Sequence, residues 1–512
     1  MASSQDPGDP AYRRSLGGGL VLRWSTAADK AGCMMLSPLA LQQQEGQESE
    51  FIVRLLEPLV DGAFYKGSFT NWALCVDTSP TQKLVDSSNP ESYVEKLRRS
   101  AESAPERVIA VVYCVPAEFA FEGDAVRVPV STVQIVACKS TYRLAAGGPN
   151  IMDGLFEMVK ARARSTGCAF MVTCGLPQYY RTKGFEYALS MGRGLITHVS
   201  GLPLASPPAH GIQSRYSLRR ATASDIPDLE RLVLAPRATA EIFHAVGDTA
   251  TMRAQLAWLL GCRPPAYSSP EYPVDPFFVL EKRDTAEAPP RVVAAAFLRM
   301  YEPGSPRIMV NPLLWDSEED ASAVAQAIVR ELIQAVEALP TPDGSQTKVA
   351  AIRWSMADDH PLRRWLCAHE LAVPAPETSR YDHTTTWWVT IDSLPRFLEA
   401  LVPALDRRLA RAKGVLGANY TGILHIAAPR ASGGGVVLRV VDGLVTVAPA
   451  IAGQAPKPNV SLPRVPLIQL MMGYAEWQEL KALFPDVAIE PAVQPLVEIL
   501  FPKRHLGSTM NL

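Results

Sequence analysis

The stretch that decides the fold runs from Val130 to Leu189 and reads VSTVQIVACKSTYRLAAGGPNIMDGLFEMVKARARSTGCAFMVTCGLPQYYRTKGFEYAL. Its apolar pattern predicts a strand over Thr132–Ala137, an amphipathic helix over Ile151–Thr166 and a second strand over Ala169–Cys174. A strand, a turn of small residues, a helix and another strand in this order indicate an α/β domain.

The small residues between the predicted strand and helix are the first candidate binding site. A helix N-terminus presents free backbone N–H groups and the positive end of the helix dipole. Gly147 and Gly148, preceded by Ala146, would let a diphosphate approach those amides, and Arg143 adds positive charge before Asn150 opens the helix. Such residues also suit an ordinary loop, so the turn alone leaves both interpretations open.

Two segments of the chain begin alike, at Leu20–Lys30 and at Tyr216–Leu229. Each has a short strand, then Arg, Thr and Asp before an amphipathic helix, and Ser224 is the expected cap of the second helix. Strand runs and a long helix follow in both, which predicts a duplicated domain. Near residue 390 the pattern changes to a β-hairpin with helices. The predicted organisation is a disordered tail over 1–19, a first domain over 20–201, a linker over 202–215, a second domain over 216–390 and a third domain over 391–512.

Two motifs resemble those of a known family. Arg143-x-x-Ala146-x-Gly148 is similar to the acyl-CoA diphosphate signature of the GNAT superfamily of N-acetyltransferases. Tyr180-Arg-Thr-Lys-Gly184-Phe185 resembles that family's later Tyr-x-x-x-Gly-Phe segment, at the family's separation of one helix and one strand. The order of elements over roughly residues 20–505 resembles the enhanced-intracellular-survival (Eis) subgroup. That resemblance implies two tandem GNAT-like mixed-sheet domains followed by a sterol-carrier-protein-like α+β domain.

The resemblance also implies roles for individual residues. Backbone groups of Val133, Ile135 and Val136 would pair with the pantetheine arm of acetyl-CoA, the acyl donor. Tyr180 would protonate the departing thiolate, for which a phenol is suitable because its pKa lies within ~2 units of that of the thiol. The plain alternative is that Tyr180 is an aromatic packing residue. In the Eis subgroup the terminal carboxylate helps to deprotonate the amine, and Leu512 would supply that group here. The alternative is that Gly507–Leu512 is a disordered tail.

The sequence departs from the family pattern in two places. Leu144 and Ala145 stand where family members carry basic residues, so the affinity for phosphate would be lower. In the second copy the corresponding segment, Asn311–Asp320, has no glycine and four acidic residues. Carboxylates at a helix N-terminus compete for the positive dipole and repel a diphosphate, so the second copy is predicted to keep the fold without the cofactor.

Composition excludes several function classes. Lys+Arg 50 against Asp+Glu 52 gives a net charge of -2, which provides no broad basic field for nucleic acid. The eight cysteines and eight histidines form no C-x-x-C pair and no metal-ligand pattern. The N-terminus does not resemble a signal peptide, and no apolar run is long enough to span a membrane. We therefore expect a cytoplasmic protein without a bound metal.

Other polar groups are weaker candidates. Asp358-Asp359-His360 and His369-Glu370 are predicted to lie in a solvated loop and at a helix end. Glu122 and Asp124 could orient an amine, although a surface hairpin tip is the simpler interpretation. The alternating strand Tyr381–Val389 is expected to pack between domains, and Ser131 and Cys138 lack a nucleophilic pattern.

The sequence predicts an acyl-CoA-dependent N-acetyltransferase that moves an acetyl group directly onto a primary amine of a small molecule or a lysine. A homo-oligomer is possible by analogy with the Eis subgroup. The alternative from another class is a non-catalytic protein that binds acyl-CoA or an apolar ligand. A third option is another acyl-CoA reaction on the same fold, such as thioester cleavage or decarboxylation.

Overall fold

The computed structural model describes residues 6–40, 72–79, 93–123, 125–143, 150–175, 177–190, 194–202, 215–235, 242–245, 249–260, 276–285, 287–298, 306–316, 319–339, 346, 348–356, 360–375, 386–417, 420–428, 435–451 and 455–504. Three β-sheets with helices packed against them make up this part of the chain, a mixed α/β architecture as predicted.

The N-terminal region builds the first sheet around two long central strands. Its strands are β1 (Arg13–Gly17), β2 (Leu20–Trp24), β3 (Trp72–Asp77), β4 (Arg107–Phe121), β5 (Val126–Cys138), β6 (Phe170–Cys174) and β7 (Glu186–Ser190). Its helices are α1 (Lys30–Ala40), α2 (Tyr93–Ser103), α3 (Ser140–Arg143), α4 (Ile151–Ser165) and α5 (Pro177–Thr182). Strands β1 to β5 are antiparallel neighbours, whereas β5 and β6 are parallel. Helix α4 packs closely on β2, because a Cβ at Gly154 would lie 2.5 Å from Leu22 Cδ1.

The second sheet repeats this plan. Its part of the chain contains β8 (Leu195–His198), β9 (Tyr216–Arg220), β10 (Ile242–Ala245), β11 (Phe277–Lys282), β12 (Arg291–Leu298), β13 (Arg307–Trp315), β14 (Ala351–Trp354), β15 (Val373–Pro374) and β16 (Thr386–Thr390). The accompanying helices are α6 (Ile226–Leu234), α7 (Thr249–Leu259), α8 (Ala321–Glu337) and α9 (Pro361–Ala368). The order β9-β11-β12-β13-β14, with the last pair parallel, matches β2-β3-β4-β5-β6 of the first sheet. The duplication predicted from the sequence is therefore present in the backbone.

The two domains exchange strands. β16 follows the second domain in the chain but lies between β6 and β7 of the first sheet, paired with both. Conversely, β8 follows the first domain and lies between β14 and β15 of the second sheet. Residues 386–389 of the alternating strand thus join the two domains, as predicted, while residues 381–385 lie outside the described residues. The sequence boundaries at 201 and 390 do not coincide with the sheets, because each sheet is completed by the other domain's strand.

The repeated opening motif forms the same ion pair in both copies. The Asp29 carboxylate accepts hydrogen bonds from Arg23 at 2.7 Å and from the backbone N–H of Thr26 at 2.7 Å. In the second copy Asp225 accepts from Arg219 and from the N–H of Thr222 at the same distances. The cap of the second helix is thus Thr222 with Asp225 in a capping box, and the expectation for Ser224 was wrong.

The predicted disordered tail over residues 1–19 is wrong for residues 13–17, which form the edge strand β1. The preceding residues are also held to the domain. Trp24 Nε1 donates to the Pro7 carbonyl at 3.0 Å, and Arg162 donates to the Gly8 carbonyl at 2.9 Å. These contacts could not be predicted from the low hydrophobicity of the segment, because they depend on partners distant in the sequence.

The third region has its own sheet and packs on the first domain. Its elements are α10 (Leu394–Arg411), α11 (Lys413–Leu416), β17 (Gly422–Ala427), β18 (Val436–Val441), β19 (Leu444–Pro449), β20 (Val460–Ser461), α12 (Arg464–Met471), α13 (Trp477–Leu483), β21 (Ala488–Ile489) and α14 (Gln494–Leu500). The sheet order is β19-β18-β17-β20-β21. Phe397 of α10 contacts Phe170 of β6 with ring centroids 5.7 Å apart, within one apolar core that continues from the first sheet into this region.

A buried carboxylate adds a polar connection between the same two regions. Glu122, at the turn between β4 and β5, is 7% exposed and pairs with Arg408, Arg411 and Arg504. Burial alone would raise the pKa of Glu122, but the hydrogen bonds and charges of Arg408 and Arg504 lower it to about 2. Glu122 thus lies at the tip of the hairpin, as predicted, but its carboxylate is buried in ion pairs and does not face solvent, and Asp124 lies outside the described residues.

Replacing Glu122 with Gln should weaken the docking of the third region. The depressed pKa means that the carboxylate stabilises the fold above its unfolded pKa near 4.3, and that this contribution disappears as the pH falls toward 2. We expect a loss of about 3 kcal/mol at neutral pH, because Arg408 and Arg504 lose the carboxylate whose pKa they lower. Urea unfolding should show a gap between the variant and the wild-type protein that closes between about pH 5 and pH 2. Glu118→Gln, at a half-exposed position on the preceding strand β4, is the control. A gap independent of pH would contradict this explanation.

Candidate active site

The parallel strands β5 and β6 separate part-way along their length. They pair from Val130↔Phe170 to Val133↔Thr173, and within the described residues no ladder pair joins them beyond Val133. β5 nevertheless continues to Cys138. Val133 is the last residue of β5 that pairs with β6, and Ile135 and Val136 lie beyond it, where β5 pairs only with β4. We call the gap between the separated parts of β5 and β6 the slot. The backbone groups of β5 that face this slot can pair with an extended chain placed between the strands.

An irregularity in β5 accompanies the separation. Tyr113 of β4 is opposite Ile135, but the next residue, Cys114, is opposite Val133, so Gln134 is an extra residue on β5. Such a β-bulge bends its strand and increases the local twist. The bulge lies immediately after the last β5–β6 pair and therefore helps to turn β5 away from β6.

Tyr180 lies beside the point of separation. It is on α5, is 7% exposed, and its ring lies against the backbone of Gly175, where a Cβ would be 2.9 Å from Tyr180 Cε2 and 3.4 Å from its hydroxyl oxygen. Gly175 has φ +135°, a conformation that side chains other than glycine rarely adopt. The glycine thus lets the phenol lie against the end of β6.

The last paired residue of β6 is close to the phenol. Thr173 is fully buried, and its hydroxyl donates to the Val133 carbonyl at 3.0 Å. Burial raises the pKa of Tyr180 to about 12, and the Thr173 hydroxyl opposes that rise. Tyr180 is therefore protonated at neutral pH and can donate a proton at the mouth of the slot.

The predicted phosphate turn is only partly described. Ala146, Gly147 and Gly148 lie outside the described residues, as does the side chain of Arg143, which ends α3. Asn150 is the N-cap of α4 and accepts a hydrogen bond from the N–H of Asp153 at 3.2 Å. The first intrahelical bond of α4 is from Gly154 N–H to the Asn150 carbonyl, so the earlier amides of the helix face the turn.

The helix before this turn is fixed to the sheet. Tyr142 donates a hydrogen bond to Asp77 Oδ2 at 2.8 Å, and the same carboxylate accepts from Arg107 at 2.7 Å and from Ser79 N–H at 2.8 Å. Burial and the bond to Asp77 raise the pKa of Tyr142 to about 12. Sequence reasoning missed this contact, since Asp77 and Tyr142 belong to elements far apart in the chain.

Comparisons with solved structures agree on one fold. A GCN5-related N-acetyltransferase from Kribbella flavida is similar with a TM-score of 0.56 and 16% identity, over 96% of this chain and 98% of that one. A second such enzyme, from Anabaena variabilis, gives a TM-score of 0.59 and 11% identity over 96% and 98%. Eis1 from Mycobacterium abscessus gives 0.51 and 13% over 96% and 99%. The chain therefore has a tandem GNAT fold. No protein-family model matches the sequence, and no curated protein matches it significantly.

The second GNAT domain closes the slot that the first leaves open. Its last parallel pair is Val310↔Trp354, and a bulge in β13 follows, as in β5. The Val310 carbonyl accepts a hydrogen bond from the backbone N–H of Ser355 at 3.1 Å, directly after this pair. His360 is buried against Trp315 and the backbone of Leu313, three residues beyond Val310, as Val136 is beyond Val133. Burial lowers the pKa of His360 to about 4, so a neutral imidazole occupies this position. The prediction that His360 lies in a solvated loop was wrong.

Carboxylates near the start of α8 form ion pairs and a helix cap in the second GNAT domain. Asp316, directly after β13, pairs with Arg231 and Arg291 at 2.6 Å each, and Glu319 pairs with Lys282 at 2.9 Å. Asp320 caps α8 by accepting from the N–H groups of Ser322 and Ala323 at 2.8 and 3.0 Å. The positions that would hold a diphosphate in a functional copy thus already contain negative charge. These carboxylates would repel a further anion at this turn.

The remaining candidates do not join this site. His369 ends α9 at the surface, as predicted, whereas Asp358, Asp359 and Leu512 lie outside the described residues. In the part of the chain that the structure describes, no three His, Cys, Asp or Glu side chains are grouped as a metal site. Of the helices described, none is both long and apolar enough to cross a bilayer.

Replacing Tyr142 with Phe should loosen the start of the turn without unfolding the domain. The variant loses one hydrogen bond to a carboxylate, which contributes roughly 1.5–3 kcal/mol. We expect hydrogen exchange at the backbone of Ser140–Arg143 to become at least tenfold faster, measured by mass spectrometry of peptides. Exchange in α4 and β3 should change little. Equal acceleration throughout the first domain would show that Tyr142 stabilises the whole domain instead.

Proposed function

We propose that the chain is an acyl-CoA-dependent N-acetyltransferase whose active site is in the first GNAT domain. The observation that carries this proposal is the open end of the β5–β6 pair with the Tyr180 phenol beside it. An open pair offers hydrogen-bonding backbone to an extended donor, and a buried, protonated phenol offers a proton to a leaving group.

The donor would bind along the separated strands. The pantetheine arm of acetyl-CoA has amide groups, and these would pair with the backbone of β5 at Val133, Ile135 and Val136. The diphosphate would then lie near the start of α4, where the small residues 146–148 leave room and where Arg143 and Asn150 contribute polar groups. This direction brings the thioester to the bulge at Gln134 and next to Tyr180.

The reaction would be a direct transfer. The nitrogen of a neutral primary amine attacks the thioester carbonyl, and a strand N–H stabilises the negative charge on its oxygen. As the carbon–sulfur bond breaks, the sulfur takes the electron pair and receives the phenolic proton of Tyr180. The amine loses a proton to a base, and water finally returns one to the phenolate. A carboxylate at Leu512 is our proposal for that base, and the eight residues after Arg504 could extend over roughly 26–29 Å.

Replacing Tyr180 with Phe tests the proton donor. Loss of a positioned general acid lowers rates by roughly 10²–10⁴-fold, so kcat for thiol release from acetyl-CoA over a panel of amines should fall at least a hundredfold. The Kd for acyl-CoA, measured by calorimetry, should stay within about twofold, since the ring is retained. Tyr179→Phe is the matched control, because Tyr179 is the neighbouring residue and contacts the same Phe156 ring. An unchanged kcat in the Tyr180 variant would remove Tyr180 from the mechanism.

Calorimetry also tests the assignment of the two domains. Because His360, Asp316 and Asp320 fill the second slot and its turn, acetyl-CoA should bind with a stoichiometry of one per chain. Val136→Glu adds negative charge at the first slot, and it should abolish the heat of binding. A stoichiometry of two would contradict our view of the second domain, and no binding at all would contradict the proposed enzyme.

A non-catalytic binding protein is the alternative, and the third region is the reason to consider it. Its five-stranded sheet with helices on it is compatible with the sterol-carrier-like domain expected from the resemblance. If that domain carries an apolar ligand, mass spectrometry of the purified full-length protein should detect lipid at about one equivalent per chain. Acyl-CoA turnover by a lipid-free preparation would favour the enzyme.

A further inference from the structure

The turn between α5 and β7 fixes the backbone of Tyr180. The Tyr180 carbonyl accepts hydrogen bonds from the backbone N–H groups of Lys183 at 3.0 Å and of Phe185 at 3.1 Å. α5 has only six residues, and so short a helix has little stability of its own. The position of the phenol therefore depends on what holds this turn in place.

Two cationic side chains from other elements hold the turn. Lys160 Nζ, on α4, donates a hydrogen bond to the Lys183 carbonyl at 2.6 Å. Arg464 Nη2, at the start of α12 in the third region, donates to the Gly184 carbonyl. Two successive carbonyls at the end of the Tyr180 segment thus accept from charged groups, and such hydrogen bonds are the stronger kind. The contact with Arg464 is the one that comes from outside the first GNAT domain.

Gly184 leaves room for both cations. Its φ is +81°, and a Cβ there would lie 3.1 Å from Arg464 Nη2 and 3.4 Å from Lys160 Nζ. Glycine is thus favoured at this position by its backbone conformation and by the close approach of the guanidinium. The glycine of the Tyr-x-x-x-Gly-Phe motif therefore lets a residue of the third region reach the backbone beside Tyr180.

Arg464 is itself held against the first sheet. Its Nη2 also donates to Thr390 Oγ1 at 3.1 Å, and Thr390, the last residue of β16, is 1% exposed. From the same helix, Gln469 Nε2 donates to the Tyr187 carbonyl of β7 at 3.0 Å. β7 is at the end of the strand order of the first sheet, and α12 packs against it. The start of α12 therefore has a fixed position relative to the turn.

We infer that Arg464 is a positioning residue that holds the backbone turn after Tyr180 and thereby keeps the phenol at the open end of the β5–β6 pair. This inference rests on the proposed function. Arg464 acts on the reaction through Tyr180, and no covalent bond to Arg464 forms or breaks. The third region is thus a structural part of the active site in the first GNAT domain.

The alternative is that Arg464 only fastens the third region to the first domain. Arg396 of α10 makes the comparison possible, because it donates to the Arg164 carbonyl at 2.8 Å, at the end of α4. Both arginines donate from the third region to a backbone carbonyl of the first domain, but only Gly184 belongs to the turn after Tyr180. A simple loss of interface contact would give both substitutions the same effect.

The first measurement follows the turn itself in the full-length protein and requires no substrate. Arg464→Met removes the donors at similar length, Arg464→Lys keeps a charge and a donor, and Arg396→Met is the matched control. We expect backbone hydrogen exchange over residues 180–186 to become at least tenfold faster in Arg464→Met, to be intermediate in Arg464→Lys and to stay unchanged in Arg396→Met. Circular dichroism establishes that each variant is folded, and Arg464→Lys serves the same test if Arg464→Met does not fold.

The second measurement connects the turn to the chemistry. In Arg464→Met, kcat for thiol release from acetyl-CoA should fall about tenfold, because a misplaced general acid transfers its proton less well. The Kd for acyl-CoA should stay within about twofold, and Arg464→Lys should recover part of the rate. In the Tyr180→Phe background, Arg464→Met should lower kcat less than about twofold, since no phenolic proton is then left to position.

Unchanged exchange over residues 180–186 would overturn the inference whatever the rates are. Equal rate losses in Arg464→Met and Arg396→Met would also overturn it, as would a full tenfold loss in the Tyr180→Phe background, because Arg464 would then not act through Tyr180. Faster exchange in a protein that releases no thiol from any amine would instead reject the proposed function, and with it the catalytic consequence of this contact.

Discussion

The structure of this site depends on the loss of pairing between β5 and β6 after Val133. Backbone N–H and C=O groups are costly to leave without partners, so a strand is rarely left open in the interior of a sheet. The bulge at Gln134 turns β5 away, and the Thr173 hydroxyl provides a hydrogen bond for the Val133 carbonyl where the ladder ends. A side chain thus provides a hydrogen bond at the last pair of the ladder. The following backbone groups of β5 that face the slot can then bind an extended chain.

The duplicated domain serves as an internal comparison for this arrangement. The same parallel pair and the same bulge occur at Val310, yet Trp354 is at the position of Thr173 in the last pair, and His360 lies beyond that pair. The overall sheet is preserved while a few side chains decide whether a slot exists. Backbone topology in this chain therefore specifies where a site can be, and local packing specifies whether it is open.

Neither domain is a self-contained unit. β16 lies next to β6, with Trp388 opposite Thr173, so the strand at the mouth of the site is supported by residues far along the chain. Glu122 holds the opposite end of the β4–β5 hairpin through arginines of the third region. The strands of the site are consequently held at both ends by other parts of the protein, which limits how far they can separate.

The sequence by itself determined the elements with local signals. Features that depend on neighbouring residues could be predicted. They are the helix at Ile151, the strands on either side of it, the duplicated Arg-Thr-Asp opening and the motif around Tyr180. The tertiary structure alone decided the exchange of β8 and β16, the inclusion of residues 13–17 in a sheet, and the burial of the Glu122 side chain and of His360. All of these bring together residues that are distant in the sequence or belong to different elements. A local pattern of polar and apolar residues carries no information about such partners, because burial of a charge or a hydroxyl is stabilised only by groups that folding places beside it.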